Sequence, residues 1–287
     1  MTQNRLKGMK YMPELPEVET VRQTLQTKLT GLKFCGAHVY LPKIIKAPDP
    51  EQFVKGIEGK KIIKLTRRGK YLILNLSDRY HLVVHLRMTG SLVYCENGTP
   101  PAKHTHVVFD LSNGAQLHFS DVRQFGQLWL VTGTSLDSLT GLKNLGVEPL
   151  EPEFTRDYLK KELRRRHTRI KPLLLDQTFL AGLGNIYTDE ALHRAKINPE
   201  RLAKTLTPRE IASLYRAIKE VLQEGIECRG TTVRDYVDGE GRSGSYQDQL
   251  QVYRREGKPC SQCGEIIVKK KVCGRSSYYC PACQKAR

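Results

Sequence analysis

From Pro16 onward apolar residues recur at helical spacing: Val18, Val21, Leu25 and Leu29 fall on one face. Pro16 suits a first helical position, and Glu17 and Glu19 suit the positive end of the helix dipole. Further along, the pattern changes to short β-branched or aromatic runs at 71–76, 81–86, 107–111, 116–119 and 127–131, separated by turn signals. Ser112-Asn113-Gly114 has the composition of a hairpin turn. This half reads as an antiparallel β-sandwich with flanking helices. At 146–152 (GVEPLEP) proline and acid mark a linker. Helical patterns follow over 153–166, 185–195 and 208–228, the last with Ile211, Leu214, Ile218, Val221 and Leu222 on one face. The glycine- and serine-rich stretch VDGEGRSGSY, 237–246, reads as a mobile loop. Short hairpins are expected from 259 to the end. The fold class is therefore α+β, with domains expected at 12–146, 147–250 and 251–287. Residues 1–11, MTQNRLKGMKY, are polar and patternless and read as an unpacked extension or a mis-called start.

Composition narrows the class of partner. The chain has 287 residues, enough for two domains with a real core. Its 47 Lys+Arg against 30 Asp+Glu leave a net charge of +17, which favours a polyanion, either nucleic acid or an acidic membrane surface. No apolar run approaches a membrane span and no charged-then-apolar leader precedes a cleavage site, so a cytoplasmic protein is expected. Five of the eight cysteines lie between 260 and 283, a clustering that argues for metal rather than disulfides in such a compartment. Cys260-x2-Cys263 and Cys280-x2-Cys283 supply two thiolate knuckles, which together complete a tetrahedron around one Zn²⁺. Four protein ligands leave no open position, so the expected zinc is structural. Cys273, between the pairs, is not expected to be a ligand. The stretch 254–287 also carries nine Lys/Arg and two Glu, which points to DNA or RNA.

The chemistry-bearing segment is MPELPEVE, 12–19. Read as a translation start, Met12 before the small Pro13 is normally trimmed. Pro13 would then carry a secondary amine with the Glu14 carboxylate beside it. Such an amine can attack C1′ of a nucleoside and form an iminium. An α-amino group titrates near about 8, so a modest downward shift leaves much of it nucleophilic at neutral pH. The same residues also make an ordinary helix start, and on physical grounds alone that reading is favoured; the two are compatible.

PELPEVET resembles the amino terminus of formamidopyrimidine-DNA glycosylases, bacterial enzymes that remove oxidised purines from DNA, and the resemblance extends from Pro13 to Lys285. AGLGNIY, 181–187, sets glycines before a helix with Asn185 as a candidate cap. By itself it reads more readily as an ordinary interhelix turn than as a phosphate-binding helix start; it also resembles the family's helix–two-turn–helix segment, which implies that Asn185 contacts a DNA phosphate. KKELRRRHTRIKP, 160–172, is by itself a solvated basic face, but the resemblance implies a DNA contact for Lys171. His167 departs from the family's basic residue before the threonine, so no phosphate contact is assigned to it.

The resemblance places Lys70 of TRRGKYL, otherwise a solvated strand-edge lysine, in the active site, contacting phosphate and donating a proton in the first elimination. It implies that Met88 of HLRMTG and Arg123 and Phe125 of DVRQFG form a wedge that fills the gap left by a flipped base. Read alone, these are a core methionine and a strand-end turn. Lys103-His104-Thr105-His106 puts both histidines on one strand face; the resemblance implies a DNA contact for His104 and no role for His106. The tail GRSSYYCPAC resembles the family's zinc finger, with Arg275 as the arginine that contacts phosphates and assists the second elimination.

The whole implies a monomeric, nucleoid-associated bacterial base-excision-repair enzyme. It would act on duplex DNA as a bifunctional glycosylase and abasic-site lyase for 8-oxoguanine and formamidopyrimidines. The endonuclease VIII branch, which takes oxidised pyrimidines, is the nearest alternative; PELPEVE and the 237–246 loop favour the purine branch. A non-catalytic lesion-binding protein is the alternative if residues 1–11 remain attached.

Overall fold

A computed structural model describes residues 12–133, 136 and 139–286; the expectation for residues 1–11 lies outside the described residues. Two compact units divide the chain. The first holds residues 12–13, 17–133, 136 and 231–244, and the second 14–16, 139–230 and 245–286.

Helix α1 (Leu15–Leu29) belongs to the first unit from Glu17 onward and buries Val18, Val21, Leu25 and Leu29 completely, as their spacing predicts. A four-stranded antiparallel sheet runs in the order β1 (Phe34–Val39), β7 (Thr105–Leu111), β8 (Gln116–Asp121), β6 (Gly90–Cys95). A five-stranded sheet runs β2 (Ile45–Ala47), β9 (Gln127–Thr132), β5 (Tyr80–His85), β4 (Tyr71–Leu76), β3 (Ile62–Arg68). Its one parallel pair, β2 with β9, departs from the expected antiparallel pattern and involves a three-residue edge strand. Phe109, Leu117 and Phe119 of one sheet share a core with Leu72, Leu82 and Leu128 of the other, closed by α1 and by Phe53 and Ile57 of α2 (Pro50–Ile57). The expected β7–β8 hairpin is present: Gly114 turns at φ +84°, and the Leu111 N–H donates to the Ala115 carbonyl at 3.0 Å.

The stretch 237–246, expected to be a mobile loop, is instead tied down. The buried Asp238 carboxylate accepts the N–H groups of Glu240 and Arg242 at 2.8 and 3.1 Å. Gly239 donates to Thr24 Oγ1 and accepts from the Tyr94 N–H. A Cβ on Gly239 would fall 2.4 Å from Leu25 Cγ, so the close seat on α1 requires glycine.

The second unit is helical: α3 (Thr140–Lys143), α4 (Arg156–Arg165), α5 (Ile170–Leu175), α6 (Asn185–Arg194) and α7 (Pro208–Glu227), followed by the hairpin β10 (Val268–Val272) and β11 (Arg275–Tyr279). α7 starts where the sequence directs. Thr207 and Glu210 form a reciprocal capping box around Pro208. No helix among the described residues is long and apolar enough to cross a membrane.

Candidate active site and zinc centre

Glu14 belongs to the second unit and is buried. Its carboxylate sits on the N-terminus of α6: Oε2 accepts the Gly184 N–H at 2.7 Å and Oε1 the Ile186 N–H at 2.9 Å, with Tyr187 N–H at 3.4 Å. This corrects one expectation: the N-cap is Gly184, without a side-chain cap, and not Asn185. The N–H groups of the helix start meet the chain's own carboxylate, an anion that suits the positive end of the helix dipole. A Cβ on Gly184 would lie 2.3 Å from Glu14 Cδ, so GLGN supplies the glycine this approach needs. Asn185 follows as the first helical residue, and its buried Oδ1 has no hydrogen-bond partner among the described residues.

Lys171 is fully buried on α5. Its ammonium donates to Asp189 Oδ1 at 2.6 Å and to the Ser276 carbonyl at 2.7 Å. Asp189 Oδ2 accepts the Tyr278 N–H at 3.0 Å. Burial pushes the Asp189 carboxyl up, to about 6, against the opposing pull of Lys171, and burial pulls the Lys171 ammonium down. As placed, Lys171 binds protein acceptors, one of them on the residue next to the exposed Arg275. His167, on the surface, hydrogen-bonds Lys204 Nζ through Nδ1 at 3.0 Å.

In the first unit Pro13 is buried. Lys70, also buried, lies immediately before β4 in a turn in which Gly69 has φ +55°. Arg67 holds that turn: Nη1 donates to the Gly69 carbonyl at 2.9 Å and Nε to Glu19 Oε2 at 3.2 Å. His85 is held neutral. Burial first, then Arg87 and Lys70, push its imidazole down to about 3, and Nδ1 accepts the Arg87 N–H at 3.0 Å. Met88 is half-buried on the turn that follows. Arg123 and Phe125 are exposed on another turn, with the guanidinium carbon 4.9 Å from the phenyl centroid. His104 is half-buried, and its carbonyl accepts the Asp121 N–H at 2.9 Å. His106, to which no role was given, bonds the Asp121 carbonyl through Nε2 at 2.8 Å. Asp121 and Thr89, which no expectation covered, organise both turns. The sequence signal was an Asp just before a tight Arg-x-Phe-Gly turn.

At the end of the second unit the Sγ atoms of Cys260, Cys263, Cys280 and Cys283 all lie within 4.8 Å of one another. Pairs approach to 4.0, 3.4 and 3.3 Å, against about 3.8 Å for thiolates at zinc bond length in a tetrahedron. All four donors are sulfur, the set that structural zinc takes. Outside the ligands, Cys260 Sγ meets His193 Nε2 at 3.5 Å, and Gln284 binds both the Cys280 N–H and the Ile197 carbonyl. Cys273 is exposed at the β10–β11 turn and lies outside the cluster. The finger holds one structural zinc. Replacing Cys263 with serine should take metal content from about one zinc per chain toward none and leave 254–286 open to protease, because an incomplete tetrahedron leaves so small a segment without a core. Cys273→Ala should keep its zinc. Full zinc retention in Cys263→Ser would refute a four-thiolate site.

Comparison with known proteins agrees with this arrangement. The Formamidopyrimidine-DNA glycosylase N-terminal domain matches residues 12–128, the Formamidopyrimidine-DNA glycosylase H2TH domain 145–237, and the zinc finger found in FPG and IleRS 257–286. Formamidopyrimidine-DNA glycosylase of Pelotomaculum thermopropionicum is 70% identical over 276 residues, covering 96% of this chain and 100% of the relative. That of Desulforamulus reducens is 59% identical over 277 residues with the same coverage. Among solved structures, a complex of Lactococcus lactis Fpg with abasic-site DNA has a TM-score of 0.89 at 39% identity, covering 95% of this chain and 100% of that one. A complex of wild-type Lactococcus lactis Fpg (MutM) with N7-benzyl-Fapy-dG DNA also scores 0.89 at 39% identity, covering 96% and 100%. The chain belongs to the formamidopyrimidine-DNA glycosylase family.

Proposed function

We propose that this protein is a DNA glycosylase of base excision repair that removes oxidised purines, 8-oxoguanine and formamidopyrimidines, from duplex DNA and then cleaves the strand as an abasic-site lyase. The observation that carries this reading is the similarity to named glycosylases along the entire length of those relatives, supported by solved complexes of a relative with lesion-bearing and abasic DNA. The net +17 charge suits a phosphate-rich partner. Chromosomal DNA as substrate puts the site of action at the nucleoid.

Pro13 is the nucleophile once Met12 and everything before it have been released. Its nitrogen lone pair forms a bond to C1′ as the C1′–base bond breaks, and the base leaves with the electron pair of the broken bond and a proton; the proline nitrogen loses its own proton, its lone pair then expels O4′, which takes up a proton, and the opened sugar is left as an iminium. The resulting iminium acidifies C2′. Loss of that proton expels the 3′ phosphate, and a second elimination expels the 5′ phosphate; water then hydrolyses the imine and frees the enzyme. Glu14 handles protons at the sugar or through water. Its fixed seat on α6 supports that role, because a general acid or base acts from a defined position. Lys70 serves the first elimination and Arg275 the second. Met88, Arg123 and Phe125 fill the space of the extruded nucleotide, with His104 and Asn185 on the backbone. For Lys171 the bonds to Asp189 and Ser276 favour support of the Arg275 strand from within.

The substrate assignment is tested by single-turnover excision from duplexes carrying 8-oxoguanine, a formamidopyrimidine or thymine glycol. The oxidised purines should be released faster, on the order of 100-fold, as expected when a site reads polar groups that the wrong base lacks. Faster release of thymine glycol would assign the chain to the pyrimidine branch.

A further inference from the structure

Asp121, the last residue of β8, is 1% exposed, and its carboxylate gathers four donors from two separate turns. Oδ1 accepts the Thr89 hydroxyl and, at 3.1 Å, the Arg123 N–H. Oδ2 accepts the N–H groups of Phe125 and Gly126, each at 2.7 Å. Thr89 Oγ1 also accepts the Arg123 N–H at 3.0 Å, so hydroxyl, amide and carboxylate close a small ring between the turns. An ionised carboxylate is an acceptor with about four lone-pair sites, and here each is used. The backbone of Asp121 is fixed as well, by the His104 carbonyl and the His106 ring.

The two turns are the ones that carry Met88 and Arg123 with Phe125. Both are tight. Arg87 and Gln124 take left-handed φ of +56° and +58°, unfavourable for side chains of their kind. A Cβ on Gly90 would fall 2.3 Å from the Leu86 carbonyl oxygen, and one on Gly126 would fall 2.4 Å from Phe119 Cζ. Beyond the carboxylate, Val122 and Phe125 stand 54% and 50% exposed. A short turn left to itself folds such apolar side chains back against the protein. Here the backbone beneath them is fixed, so the phenyl ring stays presented to solvent.

We infer that Asp121, with Thr89, is a positioning residue that locks the Met88 turn to the Arg123–Phe125 turn, so that the three side chains enter the duplex as one preformed unit. This rests on the wedge role proposed above for those side chains. Neither Asp121 nor Thr89 touches the reacting atoms. Their effect falls on extrusion of the base, and chemistry at a sugar already without a base is affected much less.

The test uses the chain beginning at Pro13 and three variants: Asp121→Ala, Thr89→Val and the double variant Met88→Ala/Phe125→Ala. Three quantities are read: the fluorescence rise of 2-aminopurine opposite the lesion as the stack opens, single-turnover excision of paired 8-oxoguanine, and borohydride trapping on a preformed abasic site. Asp121→Ala should slow opening and excision roughly 100-fold and Thr89→Val roughly 10-fold, the range expected when a support is removed from a positioned group. Trapping on the abasic site should fall far less in both. Thr89→Val removes only the tie between the turns and leaves Phe125 and Gly126 paired, so it decides the matter if Asp121→Ala does not fold. If the Met88/Phe125 double variant is selectively slow on paired DNA while Thr89→Val behaves as wild type, the lock is refuted and the wedge stands. If the double variant loses equally on both substrates, the wedge itself fails and the lock with it.

Discussion

Glu14→Gln should lose base excision by roughly 10²- to 10⁴-fold, the contribution typical of a positioned proton-transfer group. The side chain keeps its length and shape, so the change tests chemistry more than packing. The substitution has a structural cost that must be separated from the catalytic one. Glu14 uses Oε2 for Gly184 and Oε1 for Ile186. A glutamine offers one oxygen and turns an NH₂ group toward the other amide, which leaves a buried N–H unpaired at a cost of about 1–3 kcal/mol. For a chain of this size that lowers Tm by a few degrees, about 2–4 °C per kcal/mol. At a temperature well below that Tm the variant should remain folded, hold its zinc and bind lesion DNA, while excision is nearly abolished. Excision within about tenfold of wild type under those conditions would remove Glu14 from the chemistry and leave it as the cap of α6. Parallel loss of DNA binding and excision would give it a structural role alone.

How far the residues alone reveal this molecule depends on the kind of signal each segment carries. α1 was legible because Val18, Val21, Leu25 and Leu29 all face one core. The zinc site was legible because knuckle spacing is a local property. β1 and β3 were not. A bulge between Phe34 and Gly36 breaks the alternation of β1, and β3 follows no two-residue burial period. β6 was hidden by opening on a glycine and ending on half-buried residues. In the site, GLGN announced a helix start that takes an anion, and the structure supplies one from 170 residues away in sequence, which no local pattern encodes. Asn185 looked like the cap because its side chain suits one; the tight approach of Glu14 hands that position to Gly184. Among the seven basic residues of 160–171 nothing in composition separates Lys171 from its neighbours. Its complete burial beside Asp189 does so. Nothing in the sequence separates Asp121 from other strand-end acids; its four donors come from the two turns at 89 and 123–126, which only the fold brings together.

The second large effect concerns the nucleophile. An iminium needs an amine lone pair, and an amide nitrogen has delocalised its own into the carbonyl. With Met12 attached, Pro13 is a tertiary amide and cannot react; with Met12 gone it is a secondary amine beside Glu14. The direct measurement is borohydride trapping on an 8-oxoguanine duplex, comparing a chain that begins at Pro13 with one confirmed by mass to retain Met1. Reduction should freeze a covalent protein–DNA adduct with the first and none with the second, and peptide mapping should place the adduct at Pro13. Equal trapping by the verified long chain would contradict an N-terminal proline nucleophile and shift the assignment to a side-chain amine, with Lys70 the first to be mutated.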